Sequence, residues 1–80
     1  MAKYDPLAEH LRGLTVDRVI LSFAEIEELV GTLPRSALDD RTWWGNTHHK
    51  SRVQAHAWLG AGWKVETPEL ESGQVSFVRA

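Results

Sequence analysis

Ten consecutive residues, Arg41-Thr42-Trp43-Trp44-Gly45-Asn46-Thr47-His48-His49-Lys50, bring together stacking surface, amide hydrogen bonding and positive charge. Each type has a use on nucleic acid. Arg41 suits guanine or phosphate, Asn46 suits the edge of adenine, and Lys50 with Arg52 suits phosphates. Adjacent Trp residues cannot both point the same way on a regular element, so one of the pair is expected at the surface, where an indole offers stacking area and one N–H donor. The competing reading places Trp43 and Trp44 together in the core of a small domain, with Asn46 capping the next turn.

Charge is sorted along the chain. Residues 1–34 carry Lys3, Arg12 and Arg18 against Asp5, Glu9, Asp17, Glu25, Glu27 and Glu28, a net of −3. Residues 35–56 carry Arg35, Arg41, Lys50 and Arg52 against Asp39 and Asp40, a net of +2, and add His48, His49 and His56. The remainder is −1. Local sign decides where a polyanion settles, so the middle segment is the expected contact. The candidate nucleic-acid-binding residues are therefore Arg35, Arg41, Trp44, Asn46, His48, His49, Lys50, Arg52 and His56.

Other chemistries find less support. His49 and His56 are two helical turns apart, about 10 Å, too far for one ion unless His48 bends in. Thiolate zinc sites are excluded by the absence of cysteine. Ser22 and Ser36 read as helix caps, Asp39-Asp40 lacks a partner at a recognisable spacing, and there is no glycine-rich phosphate loop. No enzyme activity, cofactor or metal is expected.

The elements that position these residues follow from periodicity. A first helix is expected to start with Asp5 as N-cap and Pro6 in its first turn, with Leu7, Leu11 and Leu14 on one stripe and Gly13 near its end. Val19-Ile20-Leu21 reads as a short strand. Ser22 and Glu25 form a capping box that opens a helix over Phe23 to Val30, with Ile26, Leu29 and Val30 facing inward and Gly31 as a left-handed exit. Leu33-Pro34 turns the chain into a short helix capped by Ser36 with Asp39, and the pair suggests a helix-turn-helix. A longer helix from about Ser51 to Ala61 puts Ala55, Trp58 and Leu59 on one face, Val53, Ala57 and Ala61 on another, and His49, Arg52 and His56 on a polar stripe between. Trp63, Val65 and Thr67 alternate with Lys64 and Glu66, and Ser72-Gly73 turns into Gln74 to Val78, a hairpin in which Pro68 is tolerable on an edge.

The order α-β-α-α-α-β-β with a C-terminal β-hairpin is an α+β, winged-helix-like layout over residues 1–80. Eighty residues support one domain, because so short a chain buries only about 60–65% of its unfolded surface. Hydrophobic content of 42% and charged content of 25% fit a folded globule. Without cysteine staples, and with no apolar run at the N-terminus, a cytoplasmic protein is expected.

Several stretches also carry a resemblance: Tyr4-Asp5-Pro6-Leu7, Leu21-Ser22-Phe23-Ala24-Glu25-Ile26-Glu27, Leu33-Pro34-Arg35-Ser36-Ala37, Trp43-Trp44-Gly45-Asn46, and Gln54-Ala55-His56-Ala57-Trp58-Leu59-Gly60-Ala61-Gly62-Trp63-Lys64-Val65. Together they resemble a family of small bacterial and phage domains of unknown function, found alone or appended to other modules, nuclease-type ones included. The resemblance spans nearly the whole chain and implies an association with DNA processing but no activity. The expected function is DNA binding, loosely specific or independent of sequence, as a small regulator or accessory factor. DNA is the expected partner, and a homodimer is a further association left open. The alternative is a protein-interaction module, an adaptor or inhibitor docking through an exposed Trp. Binding that weakens with salt separates the first from the second.

Overall fold

The computed structural model describes residues 2–80. Along the chain run α1 (Asp5–Arg12), β1 (Arg18–Ser22), α2 (Phe23–Val30), α3 (Arg35–Asp39), a 3-10 turn (Arg41–Trp44), α4 (Val53–Gly60), β2 (Trp63–Glu69) and β3 (Gln74–Arg79). The strands form an antiparallel sheet in the order β1-β3-β2. Val65, Val75 and Phe77 point from it into the core beneath the helices, while Lys64 and Glu66 point out, as strand alternation requires. Among the described residues, no helix is long and apolar enough to cross a membrane.

The N-terminus of α2 forms as its sequence dictates. Ser22 Oγ accepts from the Glu25 amide at 3.0 Å and the Glu25 carboxylate accepts from the Ser22 amide at 3.0 Å, so two orphan helix donors are satisfied reciprocally. Those bonds hold the Glu25 carboxyl below the usual carboxylate range. The stabilisation is therefore complete above that range and is lost as pH falls through the lowered pKa. Ser22→Ala is expected to cost about 0.5–2 kcal/mol at neutral pH, and the gap between its melting curve and that of the parent should narrow on acidification. Equal melting at neutral pH would remove the box.

Three local expectations shift. Asp5 lies inside α1 rather than capping it, because its carboxylate turns back to accept from the Ala2 amide at 3.0 Å and Tyr4 takes the cap position. Ser36 does not cap α3, which starts after extended Pro34. Gly31 leaves α2 with φ 86° and ψ −170°, a region essentially confined to glycine but extended rather than left-handed helical.

The connector from Ala37 to Lys50 is a packed element. Successive side chains on a 3-10 helix diverge by about a third of a turn, but this short turn is enclosed on more than one side by Tyr4, Phe23 and Trp58, so Trp43 and Trp44 are both buried. They are 7% and 2% exposed. Trp44 stacks between Phe23 (5.5 Å, 9°) and Trp58 (5.9 Å, 19°), and Trp43 meets Tyr4 edge-on at 5.8 Å. Phe77 closes the series against Trp58 at 5.8 Å. The rings form one aromatic spine from α1 to β3, and no Trp is left for the surface.

At the far end of the sheet Arg79 ties the α1–β1 connection down. Its guanidinium donates to the Leu14 carbonyl at 2.7 Å and the Val16 carbonyl at 3.1 Å while lying 4.8 Å from the centre of the Trp63 ring.

Candidate nucleic-acid interface

Asn46 is the residue whose placement most changes the reading of the central segment. Its Oδ1 accepts from Trp58 Nε1 at 3.0 Å and from the Val65 amide at 2.8 Å, and its Nδ2 donates to the Val65 carbonyl at 2.7 Å. An indole N–H and a backbone N–H can only donate, so both fix which side of the amide is oxygen. The bidentate pairing expected with adenine is made instead with the peptide groups of Val65, on the outer edge of β2. Asn46 keeps an exposed flank, but its amide is committed to the fold. The same fate befalls Trp44, whose indole N–H donates to the buried carbonyl of Ala37 at 2.8 Å. Neither offers a base a free stacking face or a free amide.

The remaining candidates divide. Arg41 donates to the Pro68 carbonyl at 3.0 Å, beside Glu69 and Glu71 on the hairpin tip. Arg35 pairs with Asp39 at 3.5 Å on an exposed turn of α3. Neither lines the groove that lies between α1 and α4. The polar stripe expected on the long helix is also broken, because α4 starts at Val53 and leaves His49 and Arg52 in the preceding turn. That turn curls back over the helix: Ser51 Oγ lies 2.7 Å from His49 Nδ1, His56 Nε2 lies 3.0 Å from the His49 carbonyl, and the His48 and His56 rings meet edge-on at 6.1 Å. His48, His49, Lys50 and His56 are exposed there and Arg52 is half-buried.

The fold brings two further cations to this place. A groove of about 490 Å³ between α1 and α4 is bordered by Lys3 and Arg12 on one side and Lys50 and His56 on the other. Tyr4, Ala8, Val53 and Ala57 line its floor, with Val53 58% exposed. Asp5, already bonded to the Ala2 amide, is the carboxylate on its wall. Lys3 is anchored by donation to the Thr32 carbonyl at 2.7 Å and remains exposed. Burial pushes the Tyr4 phenol up from its ordinary value. Lys3 and Arg12 escaped the sequence reading because they lie in a segment whose summed charge is acidic. The available signal was their position at either end of one amphipathic helix, at the rim of its buried Leu7-Ala8-Leu11 face.

The exposed side of α4 carries Val53, His56 and Gly60, with Ala57 half-buried, and no Arg, Asn or Gln to read a base edge. Gln54, the amide on this helix, is buried and donates to the Trp43 carbonyl at 3.0 Å. What the surface can do is neutralise phosphates.

Comparison with curated proteins and with solved structures gives no match. A family profile does match, over residues 4–80, and the chain belongs to that family, described as Domain of unknown function (DUF7662).

Proposed function

We propose that this member of the family is a small DNA-binding protein of winged-helix type, a regulator or accessory factor, that holds DNA through phosphates. The observation that carries the reading is the clustering of Lys50, Arg52, His48, His49 and His56 around the start of α4, where the fold adds Lys3 and Arg12. The element order and the strand order β1-β3-β2 support it, since in a winged helix the last helix before the hairpin faces DNA. In this reading α4 takes that place. The five-residue α3 is too short for it, so the helix-turn-helix expected over residues 22–39 gives way to α4. Glu69 and Glu71 at the hairpin tip repel phosphates, and contact is confined to the α1–α4 side.

The test is fluorescence anisotropy of a labelled mixed-sequence duplex at increasing salt. The logarithm of affinity should fall linearly with the logarithm of salt, and Lys50→Ala and Arg52→Ala should each lower that slope by about one unit without changing the melting temperature. Failure of the parent protein to bind at low salt would end the DNA reading. The protein-interaction alternative loses its proposed anchor, since every Trp is buried.

A further inference from the structure

We infer that the groove between α1 and α4 is a cradle for the phosphodiester backbone of duplex DNA, gripped without preference for base sequence. The inference rests on the DNA-binding reading and narrows it to a place, a form of nucleic acid and a mode. The place is set by charge complementarity: Lys3 and Arg12 on one wall face Lys50 and His56 on the other, against the single carboxylate of Asp5. A polyanionic strand laid between the walls meets cations on both sides, and the floor of Ala8, Val53 and Ala57 gives its deoxyribose rings an apolar bed. Arg52 and the exposed imidazoles of His48 and His49 extend the surface past the groove with charge and hydrogen-bonding groups, which suits a long polyanion better than a short acidic peptide.

The form follows from where the aromatic rings went. Binding of unstacked single strands relies on aromatic side chains on which successive bases stack. Here Tyr4, Trp43, Trp44, Trp58, Trp63 and Phe77 are buried, and Phe23, half-buried, is stacked on Trp44. Tyr4 lines the groove's floor but is only 9% exposed, and the His56 ring on its wall is met edge-on by His48, so no Trp, Tyr or Phe ring stands free to receive a base. A duplex keeps its bases stacked on one another and presents phosphates, which is what this surface can engage. The mode follows from the amides: Asn46 and Gln54, the side chains nearest the site that could read adenine, are spent on Val65 and Trp43.

The experiment compares three probes on the intact protein: a mixed-sequence duplex, a duplex of permuted sequence, and one strand of the first alone. The two duplexes should bind alike and more tightly than the single strand. Lys3→Gln and Arg12→Gln should each reduce the salt slope on duplex by about one unit, with melting as for the parent. Lys3 also anchors Thr32, so Arg12→Gln is the cleaner arm. Duplex binding with an unchanged slope in Arg12→Gln would overturn the groove while leaving the DNA reading standing. Tighter binding of the single strand, or a several-fold difference between the duplexes, would overturn the form or the mode. If the parent binds polyglutamate but no DNA, the groove belongs to an acidic protein partner and both readings fall.

Discussion

Trp58→Ala should remove a large share of the domain's stability. The side chain is fully buried, stacks on Trp44, meets Phe77 edge-on and donates its N–H to Asn46. Truncating a buried Trp costs about 3–5 kcal/mol. A domain of this length has roughly 4–12 kcal/mol in total. Trp58→Phe keeps most of the ring contact and removes the donor, so it should fold with a loss of about 1–3 kcal/mol. Urea unfolding followed by near-ultraviolet circular dichroism orders the three proteins. A cooperative transition in Trp58→Ala near that of the parent would mean that the aromatic spine does not hold the core.

Asn46→Ala is the second large effect, and it separates an architectural residue from a reader of bases. The substitution strands the Trp58 N–H and both peptide groups of Val65 that the amide engages. Each unsatisfied buried group costs about 1–3 kcal/mol, and the exposed flank of Asn46 lets water reach some of them, so a net loss of about 2–4 kcal/mol is expected. Affinity for DNA, measured where the variant remains folded, should be unchanged for every sequence. A base reader would behave in the opposite way, with the melting curve kept and discrimination between duplexes lost by about 1–3 kcal/mol.

These two residues show where sequence reasoning reaches and where it stops. The Ser22–Glu25 capping box was legible because both partners lie within one helical turn. The hairpin was legible because alternation over Trp63 to Glu66 and Gln74 to Val78 has a period of two, and the element order followed; the bulge between Val65 and Thr67, which leaves Thr67 exposed where Trp63 and Val65 are buried and turns Pro68 inward, was not. Asn46 was not legible as a fold residue, because its partners Trp58 and Val65 are 12 and 19 residues downstream and meet it only after the sheet has formed. Trp43 and Trp44 misled because divergence of neighbours exposes one of them only on an element packed on a single face, and the 3-10 turn that carries them is enclosed by Tyr4, Phe23 and Trp58. Lys50, Arg52 and the histidines lie together around the start of α4, as their closeness in the chain dictates. Lys3 and Arg12 join them only through the packing of α1 on α4.

In the proposed division of labour the Trp residues and Asn46 build the domain while the cations around α1 and α4 meet DNA. The most direct measurement is amide nitrogen–proton correlation spectroscopy of the labelled protein during titration with a mixed-sequence duplex. Shifts should concentrate at Lys3, Arg12 and residues 47–57, with the indole N–H signals of Trp44 and Trp58 and the amides of residues 69–73 nearly still. Shifts centred on the hairpin tip or the free edge of β1, or a spectrum that the duplex leaves unchanged at low salt, would contradict the account.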